Sequence, residues 1–317
     1  MGRRAGRDRG PEGQPLTSAA GSGSAATEAP DSLRAIPVRH PGRWVAIAVI
    51  GVLVAMFAHM LATNEAFNWS FMVDNMFRPP IVEGARTAML ATVLSMAIGV
   101  ALGIVVAVMR LSPNPIISTV SWTFTWFFRA VPRLVLAILF GNLAILYTRL
   151  GFGVPFGGIL LRLIGIDGDA QIFGVDARTA LTPFVAGILA LALSEAAYMA
   201  EIVRAGIIAV DKGQTEAAQA LGMGRGLTMR RIVLPQAMRV IVPPTGNETI
   251  AMLKDTAVLA FVPVTNELFF QLRAVGTRTF QVFPMLVAAC LWYAGLTSVL
   301  MVGQHFLEKR FSRGFAQ

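Results

Sequence analysis

Five ionisable residues interrupt apolar stretches in the second half of this chain: Glu195, Glu201, Glu248, Lys254 and Asp255. A charge at membrane depth is costly unless paired or hydrated, so such residues are candidates for binding or conduction. Lys254 and Asp255 are adjacent, about 100° apart on a helix, and are not expected to neutralise only each other. A zwitterionic small molecule would offer its carboxylate to Lys254 and its ammonium to Asp255. Pairing of Lys254 with Glu195 or Glu248 on another helix is the alternative. Glu201 precedes Arg204 by three residues, the spacing of a helix-face ion pair. Gly246 and Asn247 follow Pro243-Pro244. They predict a kinked helix whose freed backbone groups line a cavity.

Bond-making chemistry is not indicated. None of the three lysines is followed by Ser or Thr, so there is no phosphate-binding loop of the Gly-Lys-Ser/Thr type. His40, His59 and His305 are scattered without metal-ligand spacing. Cys290 is the single cysteine and lies in an apolar run, which excludes a disulfide framework. The expectation is no catalytic residue, no metal and no cofactor.

A hydrophilic stretch, Lys212 to Pro235, separates two strongly apolar regions. A short helix is expected to begin at Gln214 or Thr215, with Glu216 in its first turn at the positive end of the dipole. Ala217, Ala218, Ala220 and Leu221 favour helix, and Gly222 is placed to stop it. Leu227 to Leu234 predicts a second helix, with Pro235 kinking the chain beyond it.

These residues need a scaffold, and the composition says which kind. Of 317 residues, 55% are hydrophobic and 14% charged, which excludes an ordinary soluble domain. Several runs reach the roughly 20 residues that cross a bilayer. The net charge of +9 fits basic loops of a membrane protein better than nucleic-acid binding, since no basic stripe interleaved with aromatics occurs.

Residues 1–43 are rich in Gly, Ser, Ala, Pro and Arg and read as a disordered basic tail; that polar stretch is too long for the head of a signal peptide. The expected crossings are Trp44 to Ala62, Thr87 to Met109, Ile116 to Tyr147 bent between Arg129 and Pro132, Pro183 to Val203, Arg239 to Val262, and Phe283 to Gly303. The connections are Asn64 to Glu83, a Gly-rich loop from Arg149 to Thr182 with a short apolar piece at Ile159 to Ile166, and Pro263 to Gln281. Gly99, Ala101 and Gly103 allow close helix contact. The domain reading is therefore tail 1–43, first helix and connection 44–82, main transmembrane domain 83–310 with loop 204–235, and tail 311–317. Six crossings put both termini and the Lys212 loop on one side. That side carries 16 lysines and arginines against seven on the other, which places it in the cytoplasm.

The pattern Glu216-Ala217-Ala218, three residues, Gly222, nine residues, Ile232, one residue, Leu234-Pro235 fits the cytoplasmic loop of ABC importer permeases. Ser194 to Ile207 before it, and Pro243 to Glu248 and Leu253 to Thr256 after it, extend the match. The chain resembles the polar amino acid uptake permeases from about Gly84 to Arg310. At the bend the family carries Arg-Gly-Thr-Pro, where this chain has Arg129-Ala130-Val131-Pro132.

The resemblance implies an all-α type I ABC importer transmembrane domain in the cell membrane, with one extra N-terminal helix before a five-helix core. It implies three partners: an ATPase dimer that consumes the ATP, an extracytoplasmic amino-acid-binding protein, and a second permease subunit of the same or a related chain. Glu216, Ala217, Ala218, Leu221, Gly222 and Pro235 would couple to the ATPase. Glu195, Asn247, Glu248, Lys254, Asp255 and Thr256 would line the substrate path. Many relatives have Asn or a small residue at Glu195, which makes it a candidate for substrate choice. Overall resemblance leans towards acidic or neutral polar amino acids. The rival reading is a secondary transporter driven by an ion gradient, which predicts internal repeats that this sequence does not display.

Overall fold

The computed structural model describes residues 41–146, 149–153, 157–165 and 171–312. The basic tail, apart from its last few residues, and the C-terminal segment 313–317 lie outside the described residues. The chain divides into two units, Met1–Ala62 and Thr63–Gln317. In the first, helix α1 (Pro41–Thr63) carries Arg43 near its start and His59 near its end and is otherwise long and apolar enough to cross a bilayer.

The second unit begins with α2 (Trp69–Met76), followed by α3 (Pro79–Arg110). Pro79 and Pro80 were expected in a connection. They open α3 instead, because proline is tolerated in a first turn whose N–H groups have no intrahelical partner. After the turn at Leu111–Asn114 come α4 (Pro115–Ala130) and α5 (Arg133–Gly141), which meet at 99°. The predicted break at Pro132 is where they part.

The next connection holds α6 (Leu143–Leu146), β1 (Arg149–Gly153), α7 (Gly157–Leu163), β2 (Gln171–Asp176) and α8 (Ala177–Ala180). The two strands form an antiparallel hairpin in which Arg149 pairs with Asp176 and Gly151 with Gly174. No strand was expected here. Then follow α9 (Pro183–Ile208), α10 (Lys212–Ala220), α11 (Arg225–Thr228), a π-type turn over Met229–Val233, and α12 (Leu234–Asp255). Helices α13 (Leu268–Arg278) and α14 (Val282–Ser312) complete the unit.

Among the described residues the regular structure is helical apart from the hairpin. Among the described residues four helices, α1, α3, α9 and α14, are long and apolar enough to cross a membrane, and the bent α4–α5 pair gives a fifth when it is counted as one span. The expected crossing from Arg239 to Val262, the fifth in chain order, is α12, which has 22 residues but contains Arg239, Glu248, Lys254 and Asp255, so its apolarity alone does not mark a span. It ends at Asp255 rather than Val262, passing into a 3₁₀ turn over Thr256–Phe261. Pro243 and Pro244 lie inside the helix. Thr245 Oγ1 donates to the Ile241 carbonyl at 2.8 Å in the turn where the prolines supply no N–H.

Helix α3 is the axis of the packing, and three buried layers succeed one another along it. Ile81, Ala85 and Ala88 pack with Leu253, Leu268 and Met285. Ala91 and Met96 pack with Leu136, Leu191 and Met252. Val106 and Ala107 pack with Met199, Val203 and Ile241 beside α10. The approach of α3 to α9 depends on Gly99 and Gly103. A Cβ added at Gly99 would lie 2.7 Å from Glu195 Cβ, and one at Gly103 2.5 Å from Met199 Cβ. These two glycines, four apart, set how closely Glu195 is held under α3.

At the opposite end from α10, Glu267 caps α13. Its Oε2 accepts from the Phe269 and Phe270 N–H groups, and its Oε1 accepts from Tyr293 Oη at 2.8 Å. Burial pushes its carboxyl up to about 7, against the pull of those donors. Trp292 is a packing residue, with Nε1 donating to the Met76 carbonyl at 2.8 Å.

Candidate functional site

The 99° turn between α4 and α5 puts Arg133 at the first position of α5, aimed across the bundle at α9 and α12. Its Nη2 lies 3.0 Å from Glu195 Oε2 and 3.5 Å from Glu248 Oε2, and its Nη1 binds Asp255 Oδ2. One guanidinium thus faces three carboxylates from two other helices. Glu248 and Asp255 are seven residues apart, two helical turns, and so share one face of α12. Glu195 comes from α9, and its side chain is 0% exposed. Its second oxygen, Oε1, is buried and has no hydrogen-bond partner among the described residues.

Counted as ionised groups, the cluster holds three negative charges and one positive. Arg133 is suited to join them because its planar fork offers five donors in fixed directions. The remaining excess is negative, and an unpartnered buried carboxylate oxygen is costly. The arrangement can receive a cation that brings its own N–H donors.

The predicted path residues do not all meet here. Glu195, Glu248 and Asp255 do. Lys254 is exposed and makes no ion pair among the described residues. The pairing considered between Lys254 and Glu195 or Glu248 does not form, because Arg133 takes both carboxylates. Asn247 lies one helical position before Glu248, off the shared face, and its Oδ1 accepts from Gln304 Nε2 of α14 at 2.9 Å. Thr256 is buried and donates to the Leu253 carbonyl at 2.7 Å. Glu201 and Arg204 form the ion pair their spacing predicts, with contacts of 2.7 and 2.9 Å.

Arg133 itself was missed from sequence. The clue was a second arginine immediately after the Pro132 break, in a run otherwise apolar. The aromatic ring of Tyr198, one turn after Glu195 on α9, lies 5.0 Å from the Arg133 guanidinium carbon and 5.3 Å from that of Arg129.

The second assembly is α10. It starts at Lys212, earlier than expected, because Asp211 caps it by accepting from the Gly213 N–H at 2.7 Å. Glu216 therefore lies in the helix interior and is exposed; it neither caps the helix nor sits in its first turn. Gly222 ends the helix at φ +77°. The Met223 N–H bonds back to the Ala218 carbonyl and the Gly222 N–H to that of Gln219, the paired closure of a left-handed C-cap. Ala218 is buried against the rest of the loop, whereas Glu216 and Ala217 are exposed and Leu221 is 83% exposed. A large apolar side chain held at the tip of a rigid helix suits contact with a partner. Pro235 falls in the first turn of α12, where it does not break the helix.

A cavity of about 870 Å³ between α3, α9 and α12 is lined by Val100, Ile104, Met199, Ile241 and Met238 among others. It is apolar and contains none of the Arg133 cluster.

Residues 99–313 match the model of a family described as binding-protein-dependent transport system inner membrane component. The arginine transport system permease protein ArgU of Corynebacterium glutamicum is 42% identical over 291 residues, covering 92% of this chain and 86% of that protein. A Bacillus subtilis protein named as a probable glutamine ABC transporter permease, GlnM, is 32% identical over 248 residues, covering 78% of this chain and all of that protein. Among solved structures, an amino acid ABC transporter crystallised with histidines superposes with a TM-score of 0.58 at 30% identity, covering 76% of this chain and 98% of that one.

Proposed function

This chain belongs to the family of binding-protein-dependent transport inner membrane components, and on that premise we propose that it carries cationic amino acids, received at the Arg133 cluster. It is a membrane-spanning permease subunit of an ATP-driven importer of polar amino acids. Family members work with a separate ATPase and a substrate-binding protein, so the chain moves its cargo without altering it.

One observation carries the choice of cargo. Three carboxylates surround a single guanidinium, and the buried Oε1 of Glu195 has no donor among the described residues. An amino acid with a cationic side chain supplies both the missing charge and the missing N–H. An acidic amino acid would add two carboxylates to the three, against one ammonium, whereas a cationic amino acid brings two cationic groups against one carboxylate. The sequence-level lean towards acidic or neutral polar cargo therefore gives way to a basic one. The name of the 42% identical relative points the same way.

The finer assembly belongs to the same reading. The N-terminus and α10 face the cytoplasm, as the arginine and lysine bias suggests. Two ATPase subunits each grip one α10 through Glu216, Ala217, Leu221 and the exit at Gly222. A second permease subunit, identical or related, completes the path. ATP is used by the partner, and no cofactor or metal is required.

The test is Glu195→Gln in the complete transporter, reconstituted in vesicles with its ATPase and binding protein. Removing the charge while keeping the shape is expected to lower lysine uptake about tenfold or more, the equivalent of one charge-assisted hydrogen bond. The ATPase should still co-purify. Unchanged lysine uptake by this variant would refute the assignment.

A further inference from the structure

A second cavity, of about 440 Å³, lies between α4 and α9 on the α10 side of Tyr198. Arg110, Arg129, Trp122, Trp126, Tyr198 and Glu201 line it. Its charge is opposite to that of the Arg133 cluster. Glu201 is already paired with Arg204. Arg129 makes no ion pair among the described residues, and Arg110 donates only to the backbone carbonyl and hydroxyl oxygens of Ser118, at 3.3 and 3.4 Å. Two guanidiniums without a carboxylate partner therefore open into one small space. The indoles of Trp122 and Trp126 are stacked at 6.3 Å beside them.

The two sites share a wall. Tyr198 has the Arg133 guanidinium 5.0 Å from its ring centre and the Arg129 guanidinium 5.3 Å from it. Glu195, Tyr198 and Glu201 follow one another at three-residue intervals on α9, so the sites are stacked along that helix. A molecule leaving the acidic cluster towards α10 meets Tyr198 first and the paired guanidiniums next.

We propose that this cavity is a second cargo station, in which Arg129, with Arg110, holds the α-carboxylate of a cationic amino acid after it has passed Tyr198. The indole faces receive the cationic side chain. The acidic cluster reads the cargo's positive charge, and the Arg129 station reads its carboxylate. Arg129 suits this role because a guanidinium binds a carboxylate through two parallel hydrogen bonds. This inference rests on the cationic-cargo reading, extending it to a subsite with different chemistry.

The experiment is equilibrium binding of labelled lysine, and of cadaverine, which is lysine without its carboxylate, to the assembled permease–ATPase complex without binding protein. The wild type is expected to take two lysines but one cadaverine per permease protomer. Arg129→Gln should reduce lysine to one and leave cadaverine at one, and Arg129→Lys should restore weak second-site binding. Glu195→Gln should abolish cadaverine binding while one lysine remains. Equal stoichiometry for lysine and cadaverine, unchanged by Arg129→Gln, would overturn the second station and leave the acidic site standing. Lysine binding that Arg129→Gln removes, with no cadaverine bound by any form, would instead support the station and remove the acidic site. An anionic phospholipid retained by the wild type and lost in Arg129→Gln, with lysine stoichiometry unaltered, would assign the guanidiniums to lipid phosphate and refute the proposal. The wild-type comparison of the two ligands holds even if a variant fails to fold.

Discussion

Arg133→Leu is expected to abolish uptake and lower stability together. The substitution leaves the carboxylates of Glu195, Glu248 and Asp255 facing one another without their shared counter-ion. Removing one partner of a buried ion pair typically costs about 3–5 kcal/mol, because the charge left behind is uncompensated. The partial exposure of Glu248 and Asp255 allows some hydration, so the lower end of that range is expected. Arg133→Lys keeps the charge but presents a point donor in place of a fork, and should recover stability better than transport. Melting of the detergent-solubilised complex and lysine uptake would be measured together. Adding Glu195→Gln to Arg133→Leu should raise the melting temperature above that of Arg133→Leu alone, since it removes one unpaired charge. If the double variant melts no higher, charge is not what Arg133 balances.

The second large effect concerns α10. Gly222 has φ +77°, and a side chain there is strained even though no atom lies within 4 Å of the position of its Cβ. For an L-residue the left-handed conformation costs roughly 1–2 kcal/mol, enough to loosen the C-cap but not to unfold the bundle. Gly222→Arg also places a bulky cation beside exposed Leu221, on the surface proposed to meet the ATPase. The expected result is a permease that is made and inserted normally but transports below about one tenth of the wild-type rate, as loss of a docking hot spot would give. The ATPase should be lost from the purified complex or should hydrolyse ATP without uptake. Gly222→Ala separates strain from bulk and should show the smaller defect. Full ATP-driven uptake by Gly222→Arg would remove α10 as the point of coupling.

How much of this was legible in the chain depends on how local the cause is. Gly222 as the end of α10 was legible, because a left-handed cap needs glycine whatever surrounds it. The start of α10 is less legible, because Gln214 and Thr215 are both acceptable helix starters by type while Asp211, three residues before Gln214, holds the cap. The Pro132 break was legible too, since proline cannot continue a helix. Pro79 and Pro80 misled for the converse reason: the same residue that ends one helix can open another. The hairpin of Arg149–Gly153 with Gln171–Asp176 was hidden, as its strands are short and glycine-bearing.

In the site, the 100° step between Lys254 and Asp255 implies that they do not neutralise only each other, and among the described residues Asp255 pairs with Arg133 while Lys254 makes no ion pair. Which one faced the cluster was not decided locally. Asp255 shares a face with Glu248, and Lys254 shares one with Asn247, seven residues earlier. Arg133 was illegible as the centre because its partners lie 62 and 122 residues away at Glu195 and Asp255. A bend angle, which no residue pattern specifies, brings them together.

The most direct test of the account is a side-by-side measurement of how lysine, arginine, glutamine and glutamate enter the transmembrane site of the purified wild-type permease–ATPase complex, read as equilibrium binding with the binding protein omitted. Under those conditions the permease's own preference is read. The acidic cluster predicts that lysine and arginine enter and that glutamate does not. Binding of glutamate as tight as or tighter than that of lysine would contradict it.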